Sequence, residues 1–228
     1  MNRRPSLSHL PFTALLCGVA VLFLDMTLTS GGSAVPLISF SVLMCAVFLL
    51  AALSLEKRKE FEAVFRRAFL PAILAIVGAL ALAAGCVLSF PAGGMFRKIL
   101  AMLGILAAAG LIGAQVLLLR GKKPQVFFLV FAVLFYVVKL FTDFRNWMVD
   151  PTVLDYCFLL FAMISFMIVT YQAGAFCFDK GSRRQLAFFC LTGLLFGTVA
   201  ICAGGRPEML VYGGSILWML SCGLQALR

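Results

Sequence analysis

Residues 139–155 read KLFTDFRNWMVDPTVLD, and they gather Lys139, Asp143, Arg145, Asp150 and Asp155 around a tryptophan in a chain otherwise poor in charge. Carboxylates beside a lysine and an arginine are residue types that can bind a charged solute, move a proton or, if they converge, act as catalytic acids. Asp143 and Asp150 lie seven apart through an aromatic turn, a spacing that specifies neither a metal site nor lipid-phosphate chemistry. If the chain were an enzyme, Asp143, Asp150 and Asp155 would be its acids.

The same residues also read as architecture. Lys139 and Asp143 are four apart, so they share one helix face. Asp150 followed by Pro151 is a good helix start, because the carboxylate can cap free N–H groups and proline has no N–H to leave unpaired. Asp155 then falls just beyond the first turn, near the positive end of the helix dipole. Trp147, just past Arg145, marks the headgroup level of a bilayer.

Other charges belong with this joint. Asp25 sits near the end of the first apolar stretch, Arg97 and Lys98 near the start of the fourth, and Arg206 and Glu208 before the eighth. Together with the joint they make a candidate outer-face cluster of mixed sign, a vestibule for a small solute. The basic pair Arg97 and Lys98 reads as a snorkelling anchor or as an anion-attracting mouth. None of these groups is expected at mid-bilayer, where a proton- or sodium-coupled carrier often places a carboxylate.

Other chemistries have little to stand on. His9 is the single histidine, which argues against multi-histidine metal sites, paired haem ligands and H-E-x-x-H enzymes. The eight cysteines lie in or beside apolar runs with no C-x-x-C, so apolar filling is their expected role. No nucleotide loop, thiol pair or serine–histidine arrangement is visible. An enzyme is the least supported class, and no cofactor or metal is called for.

The elements that would position the charges follow from composition. The chain is 63% hydrophobic and 12% charged, against roughly 45–50% and about 25% in soluble domains. Its 228 residues cannot hide that much apolar surface in one water-soluble core. Eight apolar runs are expected to span: Leu10–Leu28, Val35–Leu55, Phe69–Phe90, Leu100–Leu119, Val126–Phe144, Thr152–Tyr171, Leu186–Ile201 and Met209–Leu224. They are continuously apolar rather than alternating, so they predict helices. The last two are short, and Gly213–Gly214 interrupts the eighth.

With the N-terminus cytoplasmic, fourteen of the 19 lysines and arginines fall on inside linkers and termini. That is the bias expected of inner loops. The reading is an all-α polytopic membrane protein, one domain over 1–228, with about eight transmembrane helices and both termini cytoplasmic. A bacterial cytoplasmic membrane is the expected location. The net charge of +10 comes from short clusters between spans, which suits topology and not nucleic acid.

Two further segments carry expectations. Residues 56–68, EKRKEFEAVFRRA, place apolar side chains at 61, 64, 65 and 68, which predicts a short cytoplasmic or interfacial helix. The alternative role for this helix is docking a partner. Glycines and alanines in the third and fourth spans predict a tight hairpin around PAGG, and the same small face could serve a homodimer. The functional expectation is a small transporter or permease-like subunit of unknown substrate. The alternative is a non-enzymatic accessory or assembly protein bound to a larger membrane partner.

Overall fold

The computed structural model of the chain describes residues 7–28, 35–56, 61–65, 68–90, 94–147, 153–203 and 205–227. A short 3-10 turn, Leu7–His9, leads into α1 (Leu10–Leu28), followed by α2 (Val35–Leu53) and a short α3 (Phe61–Val64). Six longer helices complete the chain: α4 (Phe69–Ser89), α5 (Met95–Leu119), α6 (Val126–Trp147), α7 (Val153–Cys177), α8 (Arg183–Ala203) and α9 (Arg206–Ala226). Eight of these helices are long and apolar enough to cross a bilayer. The protein is a polytopic helical membrane protein.

α2 and α4 stop at Leu53 and Ser89, short of the expected Leu55 and Phe90. By contrast, α5 to α9 extend beyond their apolar runs by recruiting polar residues at their ends. The fourth span begins at Met95 instead of Leu100, and the amides of Arg97 and Lys98 donate to Gly94 O at 3.0 and 3.2 Å. The seventh and eighth spans gain flanking residues in the same way and reach 21 residues each. At about 1.5 Å per residue that is sufficient for a hydrocarbon core of about 30 Å.

From α4 to α9, each helix packs on the next, and α9 closes back on α4 in the most extensive contact of the bundle. α1 and α2 lie outside this closed set, against α8. Burial follows the layout: 78% of the α9 window is buried, against 22% for α1 and for α2.

The glycines that made the eighth span look doubtful explain its central place. A Cβ on Gly78 would lie 2.6 Å from Gly214 O, and one on Gly214 would overlap Gly78 O. The α4 and α9 backbones therefore touch where neither has a side chain, as small-residue crossings in membranes allow. α4 and α5 do pack together, as the hairpin reading requires. Their glycines mostly look elsewhere: Gly78 and Gly85 face α9, while Gly110 and Gly113 face Phe128 of α6. Gly104 alone sits between Cys86 of α4 and Phe135 of α6.

The end of the bundle that carries the 56–68 linker, the basic end, is cross-tied. α5 and α7 both finish in Schellman caps, which return two late amides to earlier carbonyls. At α5 the left-handed position is Gly121 (φ 72°), with Gly121 N–H donating to Leu118 O and Lys122 N–H to Leu117 O. At α7 the same position is Asp179 (φ 55°), with Asp179 N–H donating to Phe176 O and Lys180 N–H to Ala175 O. A left-handed conformation costs a non-glycine residue roughly 1–2 kcal/mol, and the Asp179 side chain offsets this by reaching two other linkers. It accepts from Phe61 N–H at 3.1 Å and from Lys123 Nζ at 2.8 Å.

Within the 56–68 linker, residues 61–65 are a docked element. Phe61, Val64 and Phe65 are buried, Phe61 stacks on Phe65, and Phe65 meets the Phe176 ring edge-on. These three side chains of the apolar stripe face their own bundle. Arg184 Nε donates to Leu55 O at 2.7 Å, and Arg183 Nε to Ala226 O at 2.7 Å.

Candidate functional site

α6 carries a polar face within its apolar span. Tyr136, Lys139 and Asp143 follow at three- and four-residue steps, so they rise along one side of the helix. Lys139 Nζ donates to Asp143 Oδ2 at 2.7 Å. The two side chains are 6% and 14% exposed, so the pair lies inside the bundle.

α9 covers it. Lys139 Nζ stands 5.6 Å from the centre of the Tyr212 ring, within the range of cation–π attraction. One turn deeper, Tyr136 and Ser215 hydroxyls meet at 2.9 Å. Ser215 Oγ also lies 2.8 Å from Val211 O, to which it gives its single proton, so Tyr136 is the donor to Ser215.

Polar contacts continue inward along α9. Trp218 Nε1 donates to Thr170 Oγ1 of α7 at 3.3 Å, and Ser221 Oγ donates to Pro71 O of α4 at 2.7 Å. The amide oxygens of Gln115 and Gln225 are buried without a partner among the described residues. α9 therefore presents a buried polar ladder to three neighbouring helices in turn.

Lys139 is enclosed by the bundle. Its α-carbon lies about 12 Å along α6 from Trp147, at about 1.5 Å per residue. The side chain runs toward the end of the helix, as snorkelling requires, yet Tyr212 and α9 cover it and leave Lys139 5% exposed. Lys139 and Asp143 both lie toward the end of the expected fifth span, and their enclosure by the bundle is what spacing alone did not show.

The other expected cluster residues are less gathered. Arg97 and Lys98 are exposed on the first turn of α5, Arg145 near the end of α6, and Arg206 and Glu208 on the first turn of α9. Asp25 is half-buried near the end of α1. Asp150 and the Asp155 side chain lie outside the described residues, as does the proposed Asp150–Pro151 cap. Of the ten candidates, the structure joins Lys139 and Asp143 directly, with Tyr212 over the lysine.

No family model, curated protein or solved structure matches this chain. The site is therefore read from its own chemistry. Among the described residues, no three His, Cys, Asp or Glu side chains are grouped to hold a metal ion. Among the described residues, no cysteine forms a disulfide. What the arrangement offers is a cation and an anion that neutralise each other in a dry interior, with hydroxyl groups beside them. Such a pair can exchange its partner for a solute of either sign.

Tyr212 and Ser215 were missed by reasoning from sequence. Their spacing from Glu208 by four and seven residues was a usable signal, since it aligns three polar groups on a helix otherwise apolar in that half.

Proposed function

We propose that the protein is a small carrier of charged solutes, with Lys139 and Asp143 as the groups that meet the solute. The observation that carries this reading is the buried Lys139–Asp143 pair between α6 and α9. Charges within membrane spans are costly, and they recur where a substrate or ion passes. A purely structural contact could be apolar at no loss, because replacing both members of a buried pair by hydrocarbon is often neutral or stabilising.

In this reading the basic end faces the cytoplasm, and solute enters from the opposite side past Arg206 and Glu208. The setting is a cell membrane, with the bacterial cytoplasmic membrane the proposed one. The work asked of the chain is binding and passage, not bond making, so it is not an enzyme.

The test is flux through purified protein in vesicles of phosphatidylethanolamine and phosphatidylglycerol. Amino acids, small carboxylates and small amines are added in turn, and the current or uptake is recorded. Movement of one class, abolished in the double variant K139M/D143L while the folded protein remains, is the expected result. If no class moves and a second protein copurifies stoichiometrically, the accessory reading replaces this one. That reading draws on the broad exposed face of α2, where Val42, Leu43 and Leu50 are each more than 60% exposed.

A further inference from the structure

A groove of about 400 Å³ runs between α6 and α7, away from the Lys139 site. Leu129, Val133 and Val137 form one wall, and Tyr171, Gly174 and Phe178 the other. It opens sideways, where Val130 and Leu134 are 49% and 45% exposed and Phe178 66% exposed. In a chain of eight spans that opening faces lipid.

Its length and its ends are informative. From Val126 to Val137 the α6 wall rises about 16 Å, at about 1.5 Å per residue. A hydrocarbon core is about 30 Å thick, so the groove is one leaflet deep. It starts at the basic end and stops at Thr170, whose hydroxyl donates to Phe166 O and accepts from Trp218, and so has no proton to offer.

The mouth carries one cation. Lys180 lines the groove at the basic rim, is exposed, and has no ion pair among the described residues. The neighbouring Lys123 is engaged by Asp179. Gly174 is what leaves room within: a Cβ there would meet nothing closer than Leu129 Cβ at 3.9 Å.

We propose that this groove binds one acyl chain of an anionic phospholipid from the leaflet on the basic side, with Lys180 on its headgroup. An apolar trough one leaflet deep takes hydrocarbon, and a basic side chain between spans at headgroup level selects negative charge. The site needs no conformational change and does not depend on whether the protein is a carrier.

Trp218 is a built-in reporter, because its indole N–H reaches Thr170 at the inner end of the groove. W147F removes the other tryptophan, which closes α6 at the opposite end. The protein is reconstituted in phosphatidylcholine vesicles containing a small fraction of lipid with brominated acyl chains, either phosphatidylglycerol or phosphatidylcholine. Brominated phosphatidylglycerol is expected to quench Trp218 about fivefold more effectively per mole, the worth of one basic side chain near an anionic headgroup.

K180Q is expected to bring the two lipids to equal quenching, and G174F to weaken quenching by both. Equal quenching in the W147F protein itself, or a preference that K180Q leaves unchanged, overturns the proposal. Lys180 lies in a surface turn, so the K180Q result stands even where G174F impairs folding.

Discussion

Two lysine–aspartate pairs occupy opposite halves of this bundle and are almost equal in length, 2.7 Å for Lys139–Asp143 and 2.8 Å for Lys123–Asp179. Their surroundings are not alike. The first pair is 6% and 14% exposed and lies on one helix under Tyr212. The second is 45% and 47% exposed and joins two linkers, with the Phe61 amide as a third arm. Distance alone would rank them together. Burial separates them, because water screens the second pair much more than the first.

The largest effect should come from splitting the buried pair. K139A or D143A leaves one charge unmatched in a dry interior, which costs about 3–5 kcal/mol. Thermal unfolding in detergent should show this as a marked fall in Tm for either single variant. K139M/D143L should recover most of it, and a double variant as unstable as the singles would remove the contrast between the pairs.

The next effect tests what presses α9 over that pair. G214A puts a methyl group against the Gly78 carbonyl, and overpacking of this kind costs about 1–3 kcal/mol. G213A, one residue away, has nothing within 4 Å of its new Cβ and should leave Tm unchanged or slightly raised. Equal losses from the two would mean that the α4–α9 crossing does not hold the cover in place.

The smallest effect belongs to the exposed pair and sharpens the comparison through pH. Lys123, with help from the Phe61 amide, holds the Asp179 carboxyl below the usual carboxylate range. A lowered pKa in the folded state contributes stability above the unfolded value, about 3.9. That contribution is lost as pH falls through the folded value. The Tm advantage of the wild type over D179N should therefore be small at neutral pH and vanish on acidification. Amide exchange across Phe61–Phe65 should quicken in D179A and less so in D179N, since asparagine tolerates the left-handed backbone and keeps an acceptor.

Much of the fold was legible because the bilayer imposes a simple length rule on apolar runs. Leu10–Leu28 was read to its observed ends, and Val35, Phe69 and Val126 were correct starts. Hydropathy misjudged importance, however. The eighth span looked weakest because it was short and interrupted by Gly213–Gly214, and it is the most buried of the eight among the described residues. A helix surrounded by protein is relieved of the demand to be apolar, so its serines, tryptophan and glutamine served as signs of centrality and not of doubt.

The site was legible in part. The i, i+4 pairing of Lys139 with Asp143 followed from spacing on one helix. Its burial did not, because that depends on which helix lies over α6, and α9 comes some seventy residues later in the chain. The stripe at 61, 64 and 65 was visible, but its partners Phe176 and Asp179 could not be named from a local pattern.

The central position of α9 also bears on how the protein is made. The helix that touches α4, α7 and α8 leaves the ribosome after all seven other spans. Until it arrives, the backbone groove at Gly78 and the hydroxyl of Tyr136 lack their α9 mates, and Thr170 lacks the indole it accepts from. α9 in turn carries Ser215, Ser221 and Gln225, which make it a reluctant entrant into lipid by itself. Its insertion and its assembly are then one event, in which a nascent chain already threaded through the membrane supplies the solvent for its last polar helix.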